Sequence, residues 1–146
     1  MCEQRNEQGL RIPFFLDDDA DLVVADLDLG HAFSGAPTLL HGGVVLAVLD
    51  EAMAWATIAI AHQWALTVET SCRFLAPVAV DVAHRVEAEV VSIDGDRLTC
   101  AARVLDGAGE VCARATATFT AIGEATATRL AGGPIADEHR GYLDGD

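Results

Sequence analysis

The feature of this sequence that most constrains its fold is a long apolar run at positions 43–61. Apolar residues occupy nearly every position around the helical wheel, and from Val44 to about His62 no proline or glycine interrupts them. We therefore predict a helix that the rest of the chain must enclose, because an ordinary surface helix is apolar on one side only. The run approaches the length of a membrane span, but Asp50 and Glu51 lie at its middle, where charge is costly in lipid. We interpret it as the buried central helix of a soluble domain.

Segments with a strand-like pattern lie on both sides of this helix. One precedes it, at 22–29, and four follow it, at 67–74, 81–93, 98–104 and 110–121. Asp94-Gly95 is a strong signal for a tight hairpin between the two segments that flank it. This order predicts an α+β fold, in which the last four strands form an antiparallel meander and a single antiparallel β-sheet wraps around one long central helix.

The length of 146 residues and the hydrophobic content of 51% are those of one domain with one core. We place this domain at 21–123, between a polar N-terminal lead-in at 1–20 and an acidic tail at 124–146. The tail has little to bury, so we expect it to be weakly ordered. The lead-in has no apolar stretch of signal-peptide length, and we therefore expect a cytoplasmic protein.

Charge and motif content exclude several functional classes. With 23 acidic residues against nine basic ones, the formal net charge is −14, which would repel nucleic acid across most of the surface. The four cysteines form no CxxC pair and the histidines have no metal-ligand spacing, so we expect neither a disulfide framework nor a metal site. No GxSxG elbow surrounds a serine, which argues against a serine hydrolase. We also expect no cofactor.

Asp50 is the most informative residue of the predicted helix. A carboxylate among apolar positions is expensive to bury unless it is paired or functional. The helix pattern alone leaves open a structural role, in which Asp50 bonds neighbouring backbone or an arginine. His41-Gly42-Gly43 at the helix start favours a functional role, because glycines let a ligand approach backbone N–H groups that have no partner within the helix. Such N–H groups can form an oxyanion hole.

The spacing of these two features predicts a site that two chains share. Asp50 lies seven residues after Gly43, on the same helix face but about 10 Å along the axis. An attacking water must lie about 3 Å from the base while the carbonyl oxygen contacts the N–H donors, so a single helix cannot easily supply both. Two antiparallel helices related by a twofold axis can, because each gives its N-terminus to the other's aspartate.

These motifs together resemble a known family. The resemblance is to the hotdog-fold acyl-CoA thioesterases of the PaaI-like group, and it rests on His41-Gly42-Gly43, Asp50-Glu51, Thr67 and Arg73-Phe74-x-x-Pro77. It covers about residues 20–121. It implies a hotdog fold, hydrolysis of acyl-CoA to free acid and coenzyme A, and assembly as a homodimer or a dimer of dimers.

The resemblance also implies roles for individual residues. In similar enzymes the carboxylate matching Asp50 is the general base or nucleophile, and the N–H matching Gly42 polarises the thioester carbonyl. The histidine matching His41 helps to position that carbonyl, and Thr67 matches a strand hydroxyl that assists the water or the substrate. The implied substrate-binding positions are Gly43, Arg73, and two that contact the ligand from the neighbouring subunit, Glu69 and Phe74.

Two positions depart from other branches of the family. One branch carries Asn six residues before the histidine, where this chain has Gly35, and another carries Thr one turn after a Glu base, where this chain has Ala54. His41 and Thr67 would then perform the auxiliary work. Two alternative functions stay open: a hotdog dehydratase or hydratase, whose aspartate-and-histidine signature is absent here, and a non-catalytic acyl-CoA binding module.

Coenzyme A is itself a polyanion, so a chain of this net charge needs a local arginine cluster to bind it. The order of residues along the chain does not reveal which arginines converge. The candidates are Arg73, Arg85, Arg97, Arg103 and Arg114.

Overall fold

The computed structural model describes residues 6–134 of the chain. In chain order its strands are β1 (Phe15–Asp17), β2 (Leu22–Leu27), β3 (Ser34–Ala36), β4 (Leu39–Leu40), β5 (Ala65–Phe74), β6 (His84–Asp94), β7 (Arg97–Leu105) and β8 (Val111–Ala121). The long helix α1 (Gly42–Ala59) lies between β4 and β5, and a short helix α2 (Glu124–Ala131) follows β8. A single 3-10 turn at His31–Phe33 precedes β3.

Six of these strands form one antiparallel sheet around α1, in the spatial order β1-β2-β6-β7-β8-β5. The predicted α+β class, with one sheet wrapped around one long helix, is therefore confirmed. The predicted hairpin forms at Asp94-Gly95, where Gly95 takes a positive φ of 61°. The two short strands β3 and β4 pair with each other immediately before α1. No strand pattern predicted this pair, because it lies in a stretch rich in glycine and proline.

The strand order differs from the predicted meander in one respect. Only β6, β7 and β8 form a meander, whereas β5 pairs with β8 at the edge of the sheet. The prediction of a four-strand meander was wrong because β6 is already paired with β2 on its other side. Residues 75–83 therefore carry the chain from β5 across to β6. As a result β5 is an edge strand of ten residues.

The core lies between α1 and the inner face of the sheet. Alternate residues of the strands point to this face, as the sequence pattern predicts. Many of them are small, so the helix can lie close to the sheet. The buried residues of β6, β7 and β8 include Val86, Ala88, Leu98, Cys100, Ala102, Val104, Ala113, Ala115, Ala117 and Phe119. They meet the buried side of α1, formed by Val45, Val48, Leu49, Ala52, Met53, Ala56 and Thr57.

The folded region extends beyond the predicted domain at both ends. Leu10 and Ile12 are buried in the core, and β1 lies within the stretch we predicted as a polar lead-in. Helix α2 lies within the predicted tail and buries Ala127. The remainder of that predicted tail, 135–146, is outside the described residues.

One side of α1 remains accessible in the single chain. Asp50 and Glu51 are half-buried, and Trp55 is 43% exposed. The helix is long and apolar enough to span a membrane, yet it packs against β2, β5, β6, β7 and β8 as the core helix of a domain does. The predicted enclosure on all sides is therefore not reached within one chain.

Candidate active site

The start of α1 carries backbone N–H groups that the helix itself cannot satisfy. His41 is the N-cap, and its Nδ1 accepts the N–H of Gly43 at 2.9 Å. The carbonyl of His41 accepts the N–H groups of Val44 at 2.8 Å and Val45 at 3.1 Å. Within residues 6–134, the N–H of Gly42 has no hydrogen-bond partner. This N–H is therefore the donor at the helix start that remains open to a ligand.

Two glycines hold the ring of His41 in this position. A Cβ at Gly35 would lie 3.0 Å from the Cα of His41, and a Cβ at Gly43 would lie 3.0 Å from its Nδ1. Both approaches are tighter than most contacts of a real Cβ, so a side chain at either position would displace His41 by a few tenths of an ångström. Because Nδ1 accepts a hydrogen bond, the neutral ring carries its proton on Nε2. Gly35 thus makes room for His41.

An apolar cavity of about 340 Å³ adjoins the open N–H. The ring of Phe74 lies beside Gly42, 3.5 Å from the place where a Cβ of Gly42 would be. Phe74 ends β5, so this contact brings the end of the edge strand next to the start of α1. The cavity is lined by Gly42 and Phe74 together with Leu39, Leu40, Val45, Leu75, Ala76, Pro77 and Val78.

Asp50 faces β5 two turns further along α1. Its Oδ1 accepts the hydroxyls of Thr67 and Thr70, each at 3.2 Å, while Oδ2 has only a longer contact of 3.4 Å with Thr67. No arginine or histidine pairs with Asp50 among the described residues. The two hydroxyls fix the carboxylate through Oδ1, and Oδ2 keeps most of its capacity to accept a proton or attack a carbonyl.

Thr70 was not among the site residues predicted from the sequence. It lies three positions after Thr67, a spacing that in a regular strand puts the two side chains on opposite faces. A β-bulge at Val68 changes this: Thr67 pairs with Phe119 and Thr70 with Ala117, and both of those partners point to the core. The sequence carries no clear signal of a bulge, so alternation alone could not bring Thr70 to Asp50.

The predicted site residues therefore fall into three places. His41, Gly42, Gly43 and Phe74 lie together at the start of α1, and Thr67 lies with Asp50. Glu69 and Arg73 lie on the outer face of β5, where they pair with Thr118 and Arg114. The structure does not bring these two outer residues together with either group in one chain.

The cysteines and metal-binding residue types do not offer a second chemistry in this region. Burial raises the pKa of Cys100 to about 12, and it also raises the pKa of Cys72, which lies two residues after Thr70. Both stay protonated at neutral pH and are poor nucleophiles. Among residues 6–134, no three His, Cys, Asp or Glu side chains form a group that could hold a metal ion.

The sequence profile of the thioesterase superfamily matches residues 38–113 of the 146, a stretch that contains His41, Asp50 and Thr67. The match spans more than half of the chain. The chain belongs to the thioesterase superfamily. No curated protein sequence matches this superfamily member.

Solved structures with the hotdog fold resemble this thioesterase-superfamily chain along most of its length. A thioesterase superfamily protein is 25% identical with a TM-score of 0.66, over 69% of this chain but only 49% of that longer one. A putative thioesterase related to phenylacetic acid degradation, from Ralstonia eutropha JMP134, is 22% identical with a TM-score of 0.67, over 76% and 85% of the two chains. A Streptococcus mutans UA159 protein bound to acetyl-CoA is 16% identical with a TM-score of 0.70, over 84% and 96%. The predicted hotdog fold is thus confirmed.

Proposed function

We propose that this superfamily member hydrolyses acyl-CoA to the free acid and coenzyme A, with Asp50 as general base or nucleophile. The observation that carries the proposal is the carboxylate of Asp50, which two strand hydroxyls hold through Oδ1 while Oδ2 stays available. The ligand class is supported by the solved relatives, since the Streptococcus mutans protein is bound to acetyl-CoA and a hypothetical thioesterase from Streptococcus pneumoniae TIGR4 is solved with coenzyme A. In solved variants of the latter protein, an aspartate or a threonine is replaced by alanine.

The proposed reaction uses two regions of α1, its start and the position of Asp50 two turns further along, for opposite tasks. As a base, Asp50 takes a proton from a water whose oxygen attacks the thioester carbonyl carbon. The negative charge that develops on the carbonyl oxygen is stabilised by the N–H of Gly42 and by the positive end of the helix dipole. When the C–S bond breaks, the proton on Asp50 passes to the departing thiolate. As a nucleophile, Asp50 instead attacks the carbonyl carbon itself, the C–S bond breaks, and coenzyme A leaves as a thiolate that takes a proton from solvent. Water then cleaves the resulting acyl anhydride, which releases the free acid and restores the carboxylate.

The acyl group fits the cavity beside Gly42. Its lining is apolar, and Phe74 and Leu75 bring large hydrophobic side chains to the entrance, where both are more than half exposed. The carbonyl of a thioester on the N–H of Gly42 leaves the acyl chain next to this lining. We therefore expect apolar acyl groups to be preferred over those that carry a second carboxylate, because an unpaired charge is costly to desolvate there.

The site requires a second copy of the chain, because Gly42 and Asp50 lie about two helical turns apart. Strand β5 offers the surface for this second copy. It is an edge strand of ten residues, and Val68 and Phe74 on it are 58% and 55% exposed. A long apolar edge left unpaired is a liability that proteins usually cover. Pairing of β5 with β5 of a second copy covers it on both chains.

The contacts along β5 indicate the register of this pairing. Phe74 is level with Gly42, whereas Thr67 and Thr70 are level with Asp50. To bring Asp50 of one copy level with Gly42 of the other, the twofold axis must pass near Ser71, midway between these positions.

The charges on the outer face fit the same register. Glu69 and Arg73 lie on this face, two residues on either side of Ser71. Glu69 of each copy then faces Arg73 of the other. The interface therefore contains two ion pairs, each between a carboxylate and a guanidinium group.

The non-catalytic binding module is the main alternative. An ion pair between Asp50 and an arginine would favour it, and the described residues contain no such pair. The dehydratase alternative requires an aspartate-and-histidine signature, which this sequence lacks. Hydrolysis therefore remains the function that fits this geometry best.

A thiol-release assay tests the proposal. Purified protein is given acyl-CoA esters with short, long and aromatic acyl groups, and free coenzyme A is measured with a thiol reagent. We expect turnover that saturates with at least one ester and that Asp50→Asn removes. Binding of the esters without any thiol release by the wild type would instead establish the binding module.

A further inference from the structure

The outer face of the sheet, opposite α1, carries a row of three arginines. Arg103 on β7 is directly opposite Arg114 on β8, and Arg114 is directly opposite Arg73 on β5. Like charges in directly opposed positions destabilise a sheet. In a chain with nine basic residues and a net charge of −14, the meeting of three of them is unexpected without a compensating anion. We call these residues the arginine row.

One end of the arginine row is neutralised by a carboxylate. Glu87, opposite Arg103 on β6, accepts hydrogen bonds from the Nε of Arg103 at 2.9 Å and from the Nε of Arg85 at 2.8 Å. Burial acts to raise the pKa of Glu87, but the hydrogen bonds and charges of the two arginines outweigh it and hold that pKa below its usual value. Glu87 is therefore ionised at neutral pH.

The middle of the row has no such compensation. Neither Arg114 nor Arg73 forms an ion pair within residues 6–134. In the proposed dimer, Glu69 of the second copy faces Arg73 at the other end of the row. Arg114 is then left with an arginine on each side and no carboxylate beside it. Arg114 is therefore the position of the row at which an external anion would be stabilised most.

A shallow cavity of about 210 Å³ gives an anion room beside Arg114. On this outer face Ala101 has only a small side chain, which leaves a depression in the sheet surface. The hydroxyl-bearing Thr116 lines it, two residues after Arg114 on the same face. The lining consists of Arg103, Arg114, Thr116, Leu22, Glu87, Glu89, Ala88, Ala101, Ala102 and Ala115.

We propose that the arginine row binds the phosphate groups of a nucleotide, with Arg114 as the central residue. Guanidinium groups bind phosphate through paired, charge-assisted hydrogen bonds, and they stay charged at every physiological pH. The nucleotide is either the phosphorylated end of acyl-CoA or a free nucleotide. The first source rests on the proposed function, whereas the phosphate-binding site itself does not.

Calorimetric titration with adenosine 3′,5′-bisphosphate tests the site without any need for turnover. Arg114→Gln is compared with Arg97→Gln, which removes the same charge from the same face of β7, about 20 Å along the strand from Arg103. We expect Arg114→Gln to weaken binding roughly 10-fold or more, in line with the loss of a charge-assisted hydrogen bond. Arg97→Gln should change it less than about twofold, and added salt should weaken wild-type binding.

Kinetics with paired substrates then separate the two sources. If Arg114→Gln raises the KM for acyl-CoA but not for the matching acyl-pantetheine, which lacks the nucleotide, the row binds the substrate. If neither KM changes while bisphosphate binding is lost, the row serves a free nucleotide. The proposal is overturned if wild-type protein does not bind the bisphosphate, if Arg114→Gln binds it as tightly as the wild type, or if Arg97→Gln loses affinity equally. An inactive wild type that still binds the bisphosphate would contradict the proposed function alone.

Discussion

The start of α1 and the region around Asp50, two turns further along, are organised for opposite charges. At the start of the helix, His41 accepts hydrogen bonds from three of the backbone N–H groups. The N–H of Gly42 is left open beside an apolar cavity. Two turns later, Thr67 and Thr70 hold the carboxylate of Asp50 and leave one of its oxygens available. The first region is prepared to receive negative charge and the second to supply a base. Each is organised by its own neighbours, yet neither is complete for the proposed reaction within one chain.

The largest effect should come from the end that carries the base. Asp50→Asn keeps the size of the side chain but removes its charge, so we expect kcat to fall by roughly 10²–10⁴-fold, the range for loss of a positioned base. The Gly42 end is unchanged, and substrate affinity should be largely retained. Glu51→Gln is the matched control, because Glu51 points about 100° away around the helix. Near-normal turnover of a folded Asp50→Asn protein would remove Asp50 from the mechanism.

The next effect concerns the pairing that brings the two ends together. In the register centred on Ser71, Glu69→Arg places like charges opposite each other twice per dimer. We expect its dimer dissociation constant to rise roughly 10- to 100-fold, which analytical ultracentrifugation can measure. Arg73→Glu should do the same, and the double variant Glu69→Arg/Arg73→Glu should restore the dimer. Failure of the double variant to recover affinity would mean that β5 pairs in another register or not at all.

A smaller effect should come from the hydroxyl that the sequence did not reveal. Thr70→Val preserves shape but removes one of the two hydrogen bonds to Oδ1 of Asp50. We expect a decrease in kcat of roughly 10-fold with little change in KM, because the bond positions the carboxylate rather than the substrate. Thr70→Ser keeps the hydroxyl and should stay close to wild type. Equal activity of the Val and Ser variants would show that Thr70 does not position Asp50.

The smallest effect should come from a residue that belongs to neither end of the helix. Because the pKa of Glu87 is lowered in the folded chain, its ion pairs stabilise the fold above the ordinary carboxyl value, and this stability is lost as the pH falls through the lowered pKa. Glu87→Gln should reduce the free energy of unfolding at pH 7 by on the order of 1 kcal/mol. It should also flatten the loss of stability below about pH 4.5, the usual value, with kcat unaffected. Chemical denaturation at several pH values checks this, and an identical pH dependence in the variant would contradict it.

How far the sequence predicts the fold depends on whether a feature is local. The central helix, the long strands and the hairpin at Gly95 are encoded by patterns within short segments, so they were predictable. The pairing of β5 with β8 joins residues about 50 positions apart. It arises because β2 and β7 already occupy the two edges of β6, so β5 cannot pair there. A local sequence pattern does not show which strands pair with β6, and the prediction of a four-strand meander was wrong for this reason.

The candidate site shows the same limit. The capping role of His41 follows from neighbours two residues away, whereas the contact between Thr70 and Asp50 depends on a bulge at Val68. The arginine row likewise needs the register of three strands, which is why the sequence could name the arginines but not group them. The half-exposure of Asp50 was also beyond the helix pattern, since a helix that is apolar all round does not reveal which side stays uncovered in a single chain.

The most direct measurement of the central claim is the activity of a mixed dimer. Asp50→Asn removes the base from one copy, and Gly42→Pro removes the open N–H from the other. The proline is compatible with the first helical position, and the ring of Phe74 leaves ordinary van der Waals room for its Cβ at 3.5 Å. Each parent homodimer should be nearly inactive.

In the purified heterodimer, the intact helix start of the Asp50→Asn copy meets the intact Asp50 of the Gly42→Pro copy. One site of two is thus restored, and we predict close to half of the wild-type turnover. Circular dichroism and sedimentation must first establish that both parents fold and form dimers. A heterodimer as inactive as its parents would contradict the claim that the two ends of α1 meet across the dimer.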